Sequence, residues 1–89
     1  MRTDVFHETI KKWGSSMQLL MFIEESSELN KEIIKYFRGD KNEHLILEEM
    51  ADVYIMLEQM KFVFNFEEKK LQDIIDKKIN RIERRLNEQ

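Results

Sequence analysis

The chain of 89 residues contains no proline and only two glycines, Gly14 and Gly39. Few positions can therefore interrupt a helix, because these two residue types are the strongest helix breakers. Both glycines follow stretches with helical spacing and can end a helix in the left-handed conformation. No sustained two-residue alternation and no hairpin dipeptide predicts a strand. We therefore expect a single all-α domain over residues 1–89.

Residues that favour helix starts divide this domain into four segments. The first helix is predicted to begin at Thr3 or Asp4 and to end at Trp13. Three longer helices are predicted to follow, ending near Arg38, near Phe64 and near the C-terminus. We expect an antiparallel bundle of three longer helices plus a short N-terminal helix. The longer helices are predicted to open with capping boxes at Ser15 with Gln18, Asp40 with Glu43, and Asn65 with Glu68.

The third predicted helix is apolar on nearly every side, whereas the fourth carries one apolar stripe. An apolar helix must be covered all round, and four short helices from one chain cannot readily do this. We therefore expect oligomerisation, as a homodimer or a dimer of dimers, to complete the bundle. The alternative is a loosely packed monomer with an exposed apolar patch.

Composition limits the functional class. The net charge of −3 argues against binding a nucleic-acid polymer, which needs a basic surface. The longest apolar runs have five residues, 19–23 and 53–57, so no membrane span is expected. The first ten residues lack the pattern of a signal peptide, and no cysteine is present. We expect a cytoplasmic protein.

Two acidic segments are near-copies of each other, "EESSE" at 24–28 and "EEMAD" at 48–52. Each residue turns an α-helix by about 100°, so the three carboxylates of each segment lie within one arc of about 100°. A short connection makes their helices antiparallel neighbours, and the two patches can face each other. A divalent cation would relieve the repulsion, and a site of carboxylates alone favours Mg²⁺, with Mn²⁺ as a possible substitute. The alternative is a solvated acidic face.

The paired segments resemble the EExxE…ExxD signature of the MazG-like nucleotide pyrophosphohydrolases, in the all-α NTP pyrophosphatase superfamily. The resemblance covers most of the chain. It implies Mg²⁺-dependent hydrolysis of a nucleoside triphosphate to a monophosphate and pyrophosphate by an oligomeric enzyme. Carried over by motif position, the metal ligands are Glu25, Glu28, Glu49 and Asp52.

Other residues are weaker candidates for this site. Glu24 shares the acidic face without being a matched ligand, so we assign it to orienting or deprotonating water, with Glu48 as second choice. The remaining candidates are proposed to bind substrate: Lys31, Lys35, Lys77 and Arg81 near phosphate, Asn80 near the sugar or base, and Gln18 and Trp13 near the base. Local ion pairs, a solvated helix face, capping and core packing are the alternatives for these seven. The competing functions are a non-catalytic helical interaction module and a purely structural bundle.

Overall fold

The computed structural model describes residues 1–88, which form four helices and, within that range, no strand. The all-α prediction is confirmed. Each helix begins and ends within about two residues of its predicted bounds. The four helices are α1 (Thr3–Trp13), α2 (Ser15–Phe37), α3 (Glu43–Val63) and α4 (Glu68–Leu86).

Three residues with positive φ separate the helices. Gly14 and Gly39 have φ of 89° and 101°, which glycine adopts without the steric cost of a Cβ atom. Asn65, with φ of 57°, takes the same role between α3 and α4. Asparagine is one of the few residues with a side chain that visits this region readily. All three interhelical connections therefore turn on a left-handed residue.

The predicted capping boxes are wrong. None of the four helices receives a hydrogen bond from an N-cap side chain, and the N-cap residues of α2, α3 and α4 are Gly14, Asn42 and Glu67. Neither Ser15, Asp40 nor Asn65 therefore caps a helix. The prediction failed because a capping motif competes with other uses of the same residues. Asn65, for example, is used to end α3 in the left-handed conformation.

Helices α2 and α3 form an antiparallel hairpin, and α1 packs across both of them. Phe6 of α1 and Met56 of α3 are the buried apolar side chains among the described residues. The Phe6 ring lies 6.2 Å from that of Phe62 on α3, measured between centroids. The Gln59 amide donates a hydrogen bond of 3.0 Å to Thr9 Oγ1. The core of this unit is small and partly polar.

The connection between α2 and α3, residues 38–42, is held by a buried side chain. Asn42 Nδ2 donates to the Glu32 carbonyl oxygen at 2.8 Å and to Glu32 Oε2 at 2.9 Å. Lys35 Nζ lies 3.4 Å from the other oxygen of the same carboxylate. Because both hydrogen bonds join the end of α2 to the start of α3, they fix how the two helices face each other. We call this arrangement the Asn42 clamp.

Helix α4 projects away from the α1–α3 unit. No residue of α4 is buried, and its packing against the other helices is confined to its start. There Lys61 of α3 forms ion pairs with Glu58 of α3, at 2.7 Å, and with Glu68 of α4. The chain measures 50 × 36 × 20 Å, so it is elongated.

None of the helices in the described part of the chain combines the length and the apolar composition that crossing a bilayer requires.

Candidate metal centre

The structure brings together one carboxylate of the first acidic segment and two of the second. Glu25 on α2 and Glu49 and Asp52 on α3 each place a carboxylate oxygen within 4.8 Å of the other two. We call these three residues the carboxylate cluster. Glu25 and Glu49 are partly buried and Asp52 is exposed, so the cluster opens to solvent on the Asp52 side.

The hairpin creates this cluster from residues 24 to 27 positions apart in the sequence. Glu49 and Asp52 lie one helical turn apart on α3, so they share a face. Glu25 lies about two turns before Glu32, which the Asn42 clamp holds against the start of α3. The clamp therefore sets the register that places Glu25 opposite the α3 pair.

The carboxylates of the cluster repel one another. Burial raises the pKa of the Glu25 carboxyl above its ordinary value, and the Asp52 charge raises this pKa further. The adjoining Glu49 carboxylate and the Glu24 charge add to the same effect. No lysine or arginine forms an ion pair with any of the three carboxylates within residues 1–88.

One oxygen of the cluster has no hydrogen-bond donor among residues 1–88. Glu49 Oε2 is shielded from solvent and accepts no hydrogen bond. A shielded carboxylate oxygen without a donor is costly, so such atoms are usually satisfied by a donor or an ion. Three converging carboxylates offer the oxygen ligands that Mg²⁺ prefers, and the open Asp52 side leaves room for water ligands. The donor set and the orphaned oxygen fit a hard divalent cation.

The other members of the two acidic segments lie outside the cluster. Glu28 is one turn beyond Glu25, and its carboxylate lies 3.9 Å from Lys31 Nζ on the same helix. Glu24 and Glu48 are exposed. Glu24 lies close enough for its charge to raise the Glu25 pKa, so it borders the cluster. The assignments of Glu28 as a ligand and Glu24 as the residue that positions water remain predictions.

The predicted cationic residues on α2 are engaged in local ion pairs. Lys31 is paired with Glu28 and Lys35 with Glu32, each at three-residue spacing. Lys35 belongs to the Asn42 clamp, and this gives it a structural role at the end of α2. Both pairs match the local-pair alternative to phosphate binding. Lys31, the more exposed of the two lysines, is freer to bind an anion instead.

The predicted substrate residues on α4 are not brought to the carboxylate cluster within one chain. Lys77 and Arg81, with Lys78 and Arg84, line a shallow concavity on α4 itself. Asn80 is exposed on the same helix. Helix α4 extends away from the α1–α3 unit after its first turns. Residue spacing within one helix does not show the direction of that helix, so the sequence did not predict this separation.

The two residues predicted near the base have different surroundings. Trp13 is half exposed at the α1–α2 junction, and Lys12 Nζ lies 5.3 Å from its ring centroid. Gln18 is only 3% exposed, and among residues 1–88 its Nε2 donor has no hydrogen-bond acceptor. A base would reach Trp13 directly, whereas contact with Gln18 requires the surrounding helices to open.

Three residues with structural roles were missed by sequence reasoning. Asn42 and Gln59 are buried amides that join helices, and Lys61 joins α3 to α4. An isolated amide or lysine carries no periodic signal that would separate it from a surface residue. Only the buried, mostly apolar setting of Gln59 in α3 hinted that its amide needs a partner.

Comparison with protein-family models, with curated proteins and with solved structures finds no match to this chain.

Proposed function

We propose that this protein is a Mg²⁺-dependent nucleoside triphosphate pyrophosphohydrolase of the MazG-like type, which releases pyrophosphate and a nucleoside monophosphate. The observation that carries the proposal is the carboxylate cluster with its orphaned Glu49 oxygen. The resemblance of the two acidic segments to the EExxE…ExxD signature supplies the reaction. The proposal includes a homodimer or dimer of dimers, which the exposed apolar side chains of α3 support.

In this proposal, side chains of the protein bind the cation and accept a proton from water. Glu25, Glu49 and Asp52 would hold the cation, with Glu28 as a fourth ligand once its pair with Lys31 is released. A bound Mg²⁺ neutralises charge on phosphate oxygens and lowers the pKa of water. Glu24, exposed beside the cluster, is the proposed acceptor of the proton from the water that attacks the phosphate chain.

Metal binding is tested first by thermal unfolding with and without millimolar Mg²⁺ or Mn²⁺. A cation present at about 100 times its Kd adds about 2.7 kcal/mol of stability, which raises the Tm of a domain this size by ten degrees or more. Asp52→Asn is expected to abolish this shift. Glu43→Gln is the matched control, because it removes one exposed charge from the same helix outside the cluster. A wild-type Tm that ignores both cations contradicts the metal site.

The reaction is tested by incubating the protein with canonical and modified dNTPs and NTPs in Mg²⁺ and measuring pyrophosphate and phosphate separately. Pyrophosphate release that disappears in Asp52→Asn is the expected result. Metal binding without release of either product would favour the second candidate, a non-catalytic helical interaction module. The observation in favour of that candidate is the separation of Lys77, Asn80 and Arg81 from the cluster within one chain.

Glu24→Gln tests the proton acceptor. We expect kcat to fall by about a hundredfold or more, since a positioned general base contributes about 10² to 10⁴ in rate. Metal-induced stabilisation should remain, because Glu24 lies outside the cluster. Measuring kcat/KM against Mg²⁺ concentration separates these effects, and unchanged kinetics would remove Glu24 from the mechanism.

A further inference from the structure

Within residues 1–88, two apolar surfaces are left largely exposed. Helix α4 carries a stripe of five side chains, all within an arc of about 80°: Leu71, Ile75, Ile79, Ile82 and Leu86. Helix α3 carries an exposed face of four side chains, also within about 80°: Leu47, Met50, Tyr54 and Leu57. We call these sets the α4 stripe and the α3 face.

The two surfaces are continuous. Tyr54 and Leu57 of the α3 face and Leu71 and Ile75 of the α4 stripe line opposite sides of one groove of about 460 Å³. Beyond Ile75 the stripe diverges from α3, and its last residues, Ile82 and Leu86, are 56% and 79% exposed. One composite surface therefore combines a groove with a projecting apolar helix.

The exposed area is too large for a folded monomer of this mass. The chain exposes 7496 Å², whereas a monomer of 10.9 kDa exposes about 5,600 Å². Its radius of gyration of 16.2 Å likewise exceeds the roughly 12 Å expected for a compact domain of this length. The excess of about 1,900 Å² per chain corresponds to the area that one partner buries in a permanent homodimer.

The distribution of charge favours a second copy of this chain as the partner of these surfaces. Helix α4 carries seven basic and four acidic side chains, a net charge of +3. The remaining residues carry eight basic and fourteen acidic side chains, a net charge of −6, which together with α4 gives the −3 of the chain. A basic helix projecting from an acidic unit is complementary to the acidic unit of a second copy. An anionic membrane or nucleic acid would attract α4 but repel the rest of the chain.

We propose that two copies exchange their fourth helices, so that the α4 stripe of each copy packs on the α3 face of the other about a two-fold axis. The exchange buries both apolar surfaces at once and is self-complementary, as a two-fold interface must be. The α3 face lies on the far side of α3 from Asp52, separated from it by more than 120° around the helix axis. The carboxylate cluster of each copy therefore stays open, and the interface does not depend on the proposed catalysis.

The first test compares two substitutions of equally exposed isoleucines. Ile82→Glu places a charge in the α4 stripe, and Ile34→Glu places one on α2, outside both surfaces; the two side chains are 56% and 52% exposed. Light scattering on wild-type and Ile34→Glu protein should give at least twice the 10.9 kDa chain mass. Ile82→Glu should halve the wild-type mass or reduce it to that of one chain. A monomeric wild type, or an Ile82→Glu variant with the wild-type mass, overturns the proposal.

The second test remains decisive if Ile82→Glu fails to fold. The chain has no cysteine, so a chain with Tyr54→Cys and a differently tagged chain with Ile79→Cys or Ile82→Cys each carry a single thiol. Mixing these chains, refolding them and oxidising with a copper catalyst should give a mixed disulfide that joins the two tags. Ile34→Cys replaces Tyr54→Cys in the control mixture. A mixed disulfide no more abundant than in this control overturns the exchange.

Discussion

At the scale of single residues, the carboxylate cluster places three acidic side chains close enough to repel one another. Glu25 is held near Glu49 and Asp52 at a spacing that raises its pKa. Like charges on neighbouring helical positions already cost a few tenths of a kcal/mol in water, and partial burial increases this cost. Neutral residues at these positions would remove the repulsion, and the proposed cation site would account for the charges.

Glu25→Gln is expected to raise the Tm of the metal-free protein at neutral pH, because it removes one of three converging charges. The gain should be a few tenths of a kcal/mol or somewhat more. In millimolar Mn²⁺ the order of the two Tm values should reverse, since the variant lacks one of the proposed metal ligands. Thermal unfolding in a chelator and in Mn²⁺ measures both states. A metal-free variant less stable than wild type would contradict the view that the cluster is strained.

The Asn42 clamp gives a second residue-scale prediction, on pH. The hydrogen bond from Asn42, followed by the Lys35 charge, lowers the pKa of Glu32 below its ordinary value of 4.5. The folded state therefore binds this proton less tightly than the unfolded state. Glu32 should stabilise the fold above pH 4.5 and lose this contribution as the pH falls through its folded pKa.

Glu32→Gln should accordingly destabilise the protein at neutral pH and converge with wild type in acid. Urea unfolding across this pH range measures the difference. The control is Asn42→Ala, which removes the amide donor; in its background the Glu32→Gln substitution should have little pH-dependent effect. A constant difference between wild type and Glu32→Gln at every pH would exclude the clamp as its source.

At the scale of helices, the sequence predicted the bounds of each helix better than its capping and packing contacts. The breakers Gly14 and Gly39 and the helical spacing of apolar residues are local signals, and they predicted four helices close to their observed bounds. Helix capping depends on which hydrogen-bond partners lie near a side chain in the folded chain. The Asn42 side chain, for example, donates to Glu32 instead of capping α3. The Glu25–Asp52 proximity was predictable because one short connection determines it. The direction in which α4 leaves the other helices was not predictable, because an apolar stripe does not specify the surface on which it packs.

Asn65 between α3 and α4 provides an element-scale prediction. Its φ of 57° is unfavourable for a side chain that branches or lacks a local hydrogen bond. Asn65→Ala should cost about 1 kcal/mol, whereas Asn65→Gly should be neutral or slightly stabilising. Chemical denaturation of the two variants measures the difference. Equal destabilisation by both substitutions would show that the side chain of Asn65, rather than its backbone conformation, contributes to the free energy of unfolding.

At the scale of the whole molecule, the chain buries little apolar surface. Only Phe6 and Met56 are buried apolar residues in the described part, while Leu47 and Tyr54 of the α3 face are 67% and 60% exposed. The α1–α3 unit therefore has a small core for its length, and the proposed association would bury more apolar surface.

The Tm of the wild-type protein is therefore expected to rise with protein concentration, because association stabilises the folded state by mass action. Ile82→Glu should lower the Tm and remove most of its concentration dependence. Ile34→Glu should retain the dependence. Scans over a hundredfold range of concentration measure all three proteins. A wild-type Tm independent of concentration would contradict association coupled to folding.

The Asn42 clamp also determines which sequence changes this protein can accommodate over evolutionary time. The clamp fixes the residue count from Glu32 back to Glu25 and from Asn42 forward to Glu49 and Asp52. Inserting or deleting one residue within either stretch would rotate a carboxylate by about 100° around its helix and out of the cluster. Homologues that keep this site should therefore keep the lengths of these two stretches invariant, and length changes should accumulate elsewhere.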